Sequence, residues 1–165
     1  DILVNAAGIT RDTTLRKMDK SQWDAVMSVN LDGVFNLTRH VIEGMSERGF
    51  GRIVNISSVN GQTGQFGQTN YSAAKAGIHG FTMALAREVA SKGVTVNSVS
   101  PGYCETAMVM AVPQAIRDDI VAKVPVGRLG KPDDIARTVA FLGADDASFI
   151  TGANIPVNGG LFISF

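Results

Sequence analysis

The amino-acid sequence predicts an α/β fold with a mostly parallel sheet. Short apolar runs, which predict buried strands, alternate along the chain with longer segments of helical periodicity. The 18 glycines cluster where the apolar runs end, as tight connections between strands and helices require. A length of 165 residues favours one domain with a buried core of its own.

The composition is typical of a soluble globular protein, with 45% hydrophobic and 18% charged residues. Fifteen basic residues balance fifteen acidic ones, and without a block of like charge neither nucleic acid nor an anionic membrane is expected as a partner. Cys104 is the only cysteine, so no internal disulfide forms and a reducing compartment fits. We recognise no signal peptide and no apolar run long enough to cross a bilayer, and therefore expect a cytoplasmic location.

The first half of the chain contains two predicted strands with a long helix between them. The run Asp1–Asn5 predicts a strand buried on both faces. After a polar loop, Ser21 is the predicted N-cap of a helix that reaches about Met45. Asn30 interrupts the apolar pattern of this helix. Arg52–Ser57 predicts the second buried strand.

The second half continues the alternation after a glycine- and glutamine-rich loop. Gly93 marks the end of one helix, and Pro132 followed by two acids marks the start of another. The predicted elements are a helix at Asn70–Ser91, a strand at Val94–Ser100, helices at Pro113–Lys123 and Pro132–Leu142, a strand at Asn154–Val157 and an apolar tail at Leu161–Phe165.

Tyr71 and Lys75 are the first candidates for chemistry. Spaced i and i+4 in a predicted helix, they share one face about 5–6 Å apart. A phenol becomes a useful acid when its pKa, about 10 in water, is lowered, and a neighbouring ammonium lowers it. The pair is therefore a candidate proton donor to a carbonyl. The alternative is an exposed lysine beside a half-buried tyrosine, an arrangement common in helices.

Unusual polar residues follow three of the predicted strands. Asn5 follows the first strand, Ser57 and Ser58 the second, and Pro101-Gly102 interrupts the chain after the third. Ligands of parallel sheets bind beyond the carboxyl ends of the strands, where these residues fall. Ser58 precedes Tyr71 by 13 residues, so both are expected at this edge.

Five motifs, taken together, identify a family resemblance. They are Asn5-Ala6-Ala7-Gly8, Asn30, Ser58, Tyr71-Ser72-Ala73-Ala74-Lys75 and Pro101-Gly102 with Thr106. Their order and spacing resemble the short-chain dehydrogenase/reductase family over the whole chain. The resemblance implies the C-terminal part of a Rossmann-type doubly wound parallel sheet with flanking helices, and an oxidoreductase that uses NADPH. Ala6 departs from the family pattern, in which Asn is commoner.

Within that family, the sequence resembles acetoacetyl-CoA reductases and the similar 3-oxoacyl-ACP reductases. The segments Gly8–Asp12 and Gly49–Ile56 are typical of both groups, whereas Gly64–Tyr71 and Ser100–Tyr103 are more similar to the acetoacetyl-CoA group. The resemblance implies NADPH-dependent reduction of acetoacetyl-CoA to the 3-hydroxyacyl-CoA, as in fatty acid metabolism or polyhydroxybutyrate biosynthesis. Reduction of 3-oxoacyl-ACP is the alternative substrate assignment.

The resemblance also implies roles for individual residues by matching position. Tyr71 protonates the carbonyl oxygen and Ser58 hydrogen-bonds it. Lys75 lowers the pKa of Tyr71 and holds the nicotinamide ribose, while Asn30 keeps a water that links Lys75 to solvent. The implied cofactor contacts are Asn5, Ala7, Gly8, Tyr71, Lys75, Pro101, Gly102 and Thr106. The implied substrate pocket comprises Gln65, Phe66, Gln68 and Tyr103.

The family's glycine-rich turn, which cradles the pyrophosphate of the cofactor, has no counterpart in this sequence. The resemblance therefore predicts roughly 60–85 residues before Asp1, and it implies that residues 1–165 are one N-terminally truncated domain of the family. Two functional classes stay open: an NADPH-dependent reductase, and a non-catalytic fragment that oligomerises without binding a dinucleotide. In either case a homodimer or homotetramer is expected. No metal is expected, because His40 and His79 lack ligand-spaced partners.

Overall fold

A four-stranded parallel sheet forms the centre of the fold. In this computed structural model, which describes residues 1–163 apart from the side chain of Met108, the strands lie side by side in chain order. They are β1 (Ile2–Asn5), β2 (Gly51–Ile56), β3 (Val94–Pro101) and β4 (Asn154–Val157). The predicted α/β class with a parallel sheet is confirmed. Because all four strands run in one direction, their carboxyl ends meet at one edge of the sheet.

Helices cover both faces of the sheet. They are α1 (Lys20–Met27), α2 (Gly33–Arg48), α3 (Asn60–Thr63), α4 (Thr69–Val89), α5 (Ala107–Met110), α6 (Gln114–Lys123) and α7 (Pro132–Gly143). A π-helical turn at Ser28–Asp32 joins α1 to α2, and 3-10 turns follow α4 at Ala90–Lys92 and α7 at Asp145–Ala147. None of these helices is long and apolar enough to cross a membrane.

Two apolar clusters sandwich the sheet, one on each face. On the first face Ile53 of β2 and its register partner Val96 of β3 pack against Met45 of α2 and Ala86 of α4. The opposite face packs against Leu142 of α7. Alternate side chains of a strand point to opposite faces, so a strand covered on both sides needs apolar residues at nearly every position. The continuous apolar runs of β2 and β3 satisfy this requirement.

Arg52 is a buried cation at the amino end of β2, with 2% of its surface exposed. Its guanidinium lies 4.5 Å from the centroid of the Phe50 ring and, within residues 1–163, donates only to main-chain oxygens. These acceptors are the carbonyls of Gly51 at 2.9 Å, Asp145 at 3.1 Å, Ala144 at 3.2 Å and Gly93 at 3.4 Å. The guanidinium therefore joins the end of α7 to the edge of the sheet opposite the candidate site.

The first strand is less buried than predicted. Val4 is 41% exposed and Ile2 is exposed as well, and only Asn5 of this strand is buried. The physical reason is the position of β1, which pairs with β2 alone, while α7 packs over β2 and β3 on the face that Val4 shares. The prediction of a strand buried on both faces was wrong for β1.

The first helix begins with Asp19 as its N-cap, and not with Ser21. Asp19 Oδ1 accepts from the Gln22 backbone N–H at 2.8 Å, and Gln22 Oε1 accepts from the Asp19 N–H at 3.0 Å. This capping box satisfies two backbone donors at once. The Ser21 hydroxyl donates to the same carboxylate at 2.7 Å, and these hydrogen bonds lower the pKa of Asp19.

Candidate active site

The candidate residues converge at the carboxyl edge of the sheet. Ser58 lies just beyond the end of β2, and Tyr71 and Lys75 lie in the first two turns of α4. Asn30 reaches the same region from the π-helical turn between α1 and α2. Residues from three separate segments of the chain thus share one edge, because parallel strands and their crossover helices return there.

Lys75 is a buried cation, with 3% of its surface exposed. Its Nζ donates to the main-chain oxygen of Ile56 at 2.8 Å, and burial lowers its pKa to about 8. Within residues 1–163 this is the one hydrogen bond that the ammonium makes, so two of its three N–H donors are available to a ligand. A desolvated ammonium with spare donors is suited to hold hydroxyl oxygens.

Tyr71 is half-buried, and its phenol lies near the Ser58 side chain. Burial raises the pKa of Tyr71, and the nearby Ser58 hydroxyl offsets only part of that effect. The predicted lowering of this pKa by Lys75 was therefore wrong for the structure described. The Lys75 Nζ lies 5.7 Å from the centroid of the tyrosine ring and is directed to the Ile56 carbonyl. Desolvation of the phenol therefore dominates.

Asn30 is fully buried, and its side-chain amide pairs with the backbone of Ile9 in both directions. The Ile9 N–H donates to Asn30 Oδ1 at 2.7 Å, and Asn30 Nδ2 donates to the Ile9 oxygen at 2.9 Å. A π-helical turn inside a helix is rare and frequently marks a functional site. An asparagine in mid-helix was the sequence signal for this turn.

Gly8 is exposed and lies close to the side chains of Asn30 and Lys75. A Cβ at this position would lie 3.4 Å from Asn30 Oδ1 and 3.5 Å from Lys75 Nζ. Gly8 therefore leaves space beside the lysine ammonium, and Ala7 and Gly8 are both exposed. Asn5 differs, because its side chain is buried in the sheet and donates to Asn55 Oδ1 at 2.8 Å and Thr38 Oγ1 at 3.2 Å. Its amide ties β1 to β2 and to α2.

Two of the four predicted substrate residues, Gln65 and Tyr103, line a cavity of about 470 Å³ that does not include Ser58, Tyr71 or Lys75 in its lining. Its lining comprises Val59, Asn60, Thr63, Gln65, Tyr103, Ile116, Asp119, Ile120, Lys123 and Leu161. Phe66 is outside this cavity and 87% exposed. Gln68 is also outside, because its amide bridges Asn60 at 3.0 Å and Asp12 at 2.8 Å.

The loop after β3 packs against the turn that follows β4. The Gly102 N–H donates to the Val157 oxygen at 3.0 Å, and a Cβ on Gly102 would lie 2.9 Å from the Cα of Asn158. Pro101 is the last residue of β3, and Thr106 is the exposed N-cap of α5. Pro101, Gly102 and Thr106 are the last residues in the chain at which the resemblance implies contacts with the cofactor.

Sequence reasoning did not assign a role to Ser57 or His79. The buried Ser57 hydroxyl lies 2.8 Å from the main-chain oxygen of Lys75 and 2.8 Å from His79 Nε2. The position of Ser57 at a strand end was the only signal in the sequence.

Cys104 is buried, and burial raises the pKa of its thiol. Among residues 1–163, no cluster of His, Cys, Asp or Glu side chains is suited to a metal ion.

Comparisons with known proteins find relatives over nearly the whole chain. The family model described as enoyl-(acyl carrier protein) reductase matches residues 1–162. The acetoacetyl-CoA reductase of Allochromatium vinosum is 64% identical over 163 residues, covering 99% of this chain and 66% of that protein. That of Cupriavidus necator is 63% identical over 161 residues, covering 98% of this chain and 65% of that protein. A 3-oxoacyl-acyl-carrier-protein reductase of Pseudomonas aeruginosa is 49% identical over 163 residues, covering 99% of this chain and 66% of that protein. The chain thus spans about two thirds of the length of these curated relatives.

Proposed function

The chain belongs to the short-chain dehydrogenase/reductase family, and on that premise we propose that the protein reduces acetoacetyl-CoA to 3-hydroxybutyryl-CoA with NADPH. The observation that carries the proposal is the convergence of Ser58, Tyr71 and the buried Lys75 at one edge of the sheet. A phenol that lies near a serine hydroxyl and a desolvated ammonium is placed for proton donation to a carbonyl oxygen.

Tyr71 is the proposed general acid. Its phenol is protonated at neutral pH, so a proton is present for the carbonyl oxygen of the substrate, but the pKa raised by burial makes it a weaker acid than an ordinary phenol. Ser58 donates a hydrogen bond to the same oxygen as negative charge develops on it. The dinucleotide, when bound, supplies the hydride that the β-carbon of the substrate receives.

Ala7, Gly8 and Lys75 fit the nicotinamide ribose of a dinucleotide. Lys75 has two N–H donors free for ribose hydroxyls, and the open backbone of Ala7 and Gly8 allows close approach. The preference for NADPH over NADH, contacts through Pro101, Gly102 and Thr106, and a water held by Asn30 are proposed from the family resemblance alone.

The cavity lined by Gln65 and Tyr103, which reaches Val59 next to Ser58 in the chain, is the proposed site of the acyl thioester. Its walls combine apolar side chains such as Ile120 and Leu161 with the polar groups of Gln65 and Tyr103. Sites for small molecules commonly combine apolar walls with a few placed polar groups. The higher identity to the acetoacetyl-CoA reductases favours coenzyme A over acyl carrier protein as the thiol of the substrate.

We further infer a cytoplasmic homodimer or homotetramer that associates through α2 and α4. An apolar groove of about 280 Å³ lies on these two helices and includes Phe35, Ile42, Phe81 and Leu85. Phe35 is 48% exposed. Exposed apolar patches of this kind mark interaction surfaces, and soluble oligomers usually have closed symmetry.

The direct test of the proposed function is Tyr71→Phe. Loss of the acid should lower turnover of acetoacetyl-CoA by a factor of about 10² or more, while NADPH binding is retained. Tyr103→Phe is the matched control, because it removes the other tyrosine hydroxyl and is expected to raise KM more than it lowers kcat. NADPH oxidation by Tyr71→Phe at the wild-type rate would refute the assignment.

Binding of the dinucleotide is tested separately from turnover. Trp23 is the only tryptophan, so its fluorescence reports a titration with NADPH. Saturable binding that Lys75→Met weakens supports the reductase. The alternative, a chain that self-associates without binding a dinucleotide, predicts no saturable signal from either protein.

A further inference from the structure

Lys75 is held to the end of β2 at three points. Its Nζ donates to the Ile56 oxygen at 2.8 Å, and its main-chain oxygen accepts from the Ser57 hydroxyl at 2.8 Å. Gly61 of α3 lies flush against the same turn, since a Cβ there would be 2.8 Å from the Lys75 carbonyl carbon. The lysine is thus connected through side chain, main chain and packing to the segment that contains Ser58.

The hydrogen positions around Ser57 follow from its two partners. A hydroxyl has one proton to donate, and the carbonyl of Lys75 only accepts, so Ser57 donates to Lys75. His79 Nε2, also 2.8 Å from Ser57 Oγ, must then be the donor of the second bond. This assigns His79 to the tautomer with its proton on Nε2. Burial lowers the pKa of His79, which favours the neutral ring.

We propose that Ser57 and His79 are positioning residues that hold the Lys75 turn of α4 in register with the end of β2. The structural part of this inference stands on the contacts alone, and its catalytic consequence rests on the proposed function. Neither residue contacts the proposed substrate cavity, so neither is a catalytic residue.

The link matters because it sets the geometry between Ser58 and Tyr71. Ser58 follows Ser57 directly in the chain, and Tyr71 lies one turn before Lys75 on the same helix. If α4 shifts along the strand end, the phenol moves relative to the Ser58 hydroxyl. A displacement of about 1 Å in an active site costs as much as ~10²-fold in rate.

Pairs of conservative and disruptive substitutions distinguish a positioning role of Ser57 and His79 from a general contribution to packing. Ser57→Ala removes the hydroxyl from both bonds, whereas Ser57→Thr retains it. His79→Leu removes the ring donor, whereas His79→Gln retains an N–H that reaches Ser57. His40→Leu is the matched control, because His40 is the other histidine and is exposed on α2.

The first experiment is ¹⁵N NMR of the two imidazoles in the full chain, without substrate. We expect His79 as the single Nε2–H tautomer in the wild type and as a mixture of tautomers in Ser57→Ala, with His40 unchanged between them. The ¹³Cε resonance of Lys75, assigned with Lys75→Met, should titrate near pH 8 in the wild type and at higher pH in Ser57→Ala. An Nδ1–H tautomer of His79, or an unchanged Lys75 titration in Ser57→Ala, would overturn the link.

The second experiment is steady-state kinetics of the holoenzyme with NADPH and acetoacetyl-CoA. Ser57→Ala and His79→Leu are expected to lower kcat about tenfold or more with little change in KM, and Ser57→Thr and His79→Gln should restore most of it. A kcat that is the same in all four variants would refute the proposed effect of the Ser57–His79 link on catalysis. If the wild type does not reduce acetoacetyl-CoA, the proposed function fails, and the NMR result still decides the link.

Discussion

The side-chain amide of Asn30 and the backbone of Ile9 form a reciprocal pair of hydrogen bonds, at 2.7 Å and 2.9 Å. The pair connects the π-helical turn between α1 and α2 to the loop that follows β1. Gly8 precedes Ile9 directly and lies close to Lys75 Nζ. The Asn30 amide therefore fixes the distance between the loop after β1 and the buried lysine.

Asn30→Leu is expected to destabilise the chain by about 2–4 kcal/mol. The substitution leaves the partly buried N–H and carbonyl of Ile9 without partners, and each such loss costs about 1–3 kcal/mol. Urea denaturation followed by circular dichroism measures the free energy of unfolding. Asn36→Leu, at an exposed position of α2, is the control and should change it by less than about 0.5 kcal/mol. Equal stability of the two variants would contradict the role of the pair.

Lys75 should make the stability of the chain rise with pH. Its pKa of about 8 in the folded state lies below the ordinary value of 10.5, so between these pH values only the unfolded chain binds the proton. From about pH 7.5 to about pH 9.5 the wild type should gain about 2 kcal/mol of stability relative to Lys75→Met. Urea denaturation at the two pH values measures this gain. Lys17→Met, at an exposed loop position, should show the same pH dependence as the wild type.

Asp134 stabilises the start of α7 through two contacts. Its Oδ2 accepts from Arg128 Nη1 at 2.7 Å and from the Lys131 N–H at 2.8 Å, which lowers its pKa to about 2. A carboxyl whose pKa is lowered on folding stabilises the folded chain above pH 3.8, and this stabilisation is lost as the pH falls through about 2. Asp134→Asn should therefore lower Tm near neutral pH.

The difference in Tm between the wild type and Asp134→Asn should shrink as the pH approaches about 2. Thermal melts followed by circular dichroism at several pH values measure this difference. Asp133→Asn is the control, because Asp133 shares the first turn of α7 but makes neither contact in the described part of the chain. An Asp134→Asn melt that parallels the control at every pH would contradict the prediction.

Self-association is predicted to depend on the apolar groove of α2 and α4. Phe35→Lys places a charge in that groove and should shift the protein from dimer or tetramer to the 17.4 kDa monomer. Multi-angle light scattering at micromolar concentration measures the mass. Leu15→Lys, at an exposed loop position away from the groove, should leave the mass unchanged. A wild type that is only monomeric would refute the proposed assembly.

The sequence predicted each strand to within about one residue at each end, because hydrophobic periodicity and glycine or proline boundaries are local properties. The shared face of Tyr71 and Lys75 is local as well, since i and i+4 spacing determines it in any helix. The N-cap of α1 was misplaced because Asp19 and Ser21 are both good caps, and only the contact with Gln22 distinguishes them.

The family resemblance and the set Asn30, Ser58, Tyr71 and Lys75 were thus determined by the sequence itself, through residue types at fixed spacing. Only the tertiary structure decided the pKa shifts of these groups and the hydrogen bonds that hold them in place. The pKa of Tyr71 rises because burial outweighs the effect of the Ser58 hydroxyl, and Lys75 donates a hydrogen bond to Ile56, which is 19 positions away. The Ser57–His79 link likewise joins a strand end to a helix. Burial and long-range hydrogen bonds depend on which elements pack together, and periodicity along the chain does not contain that information.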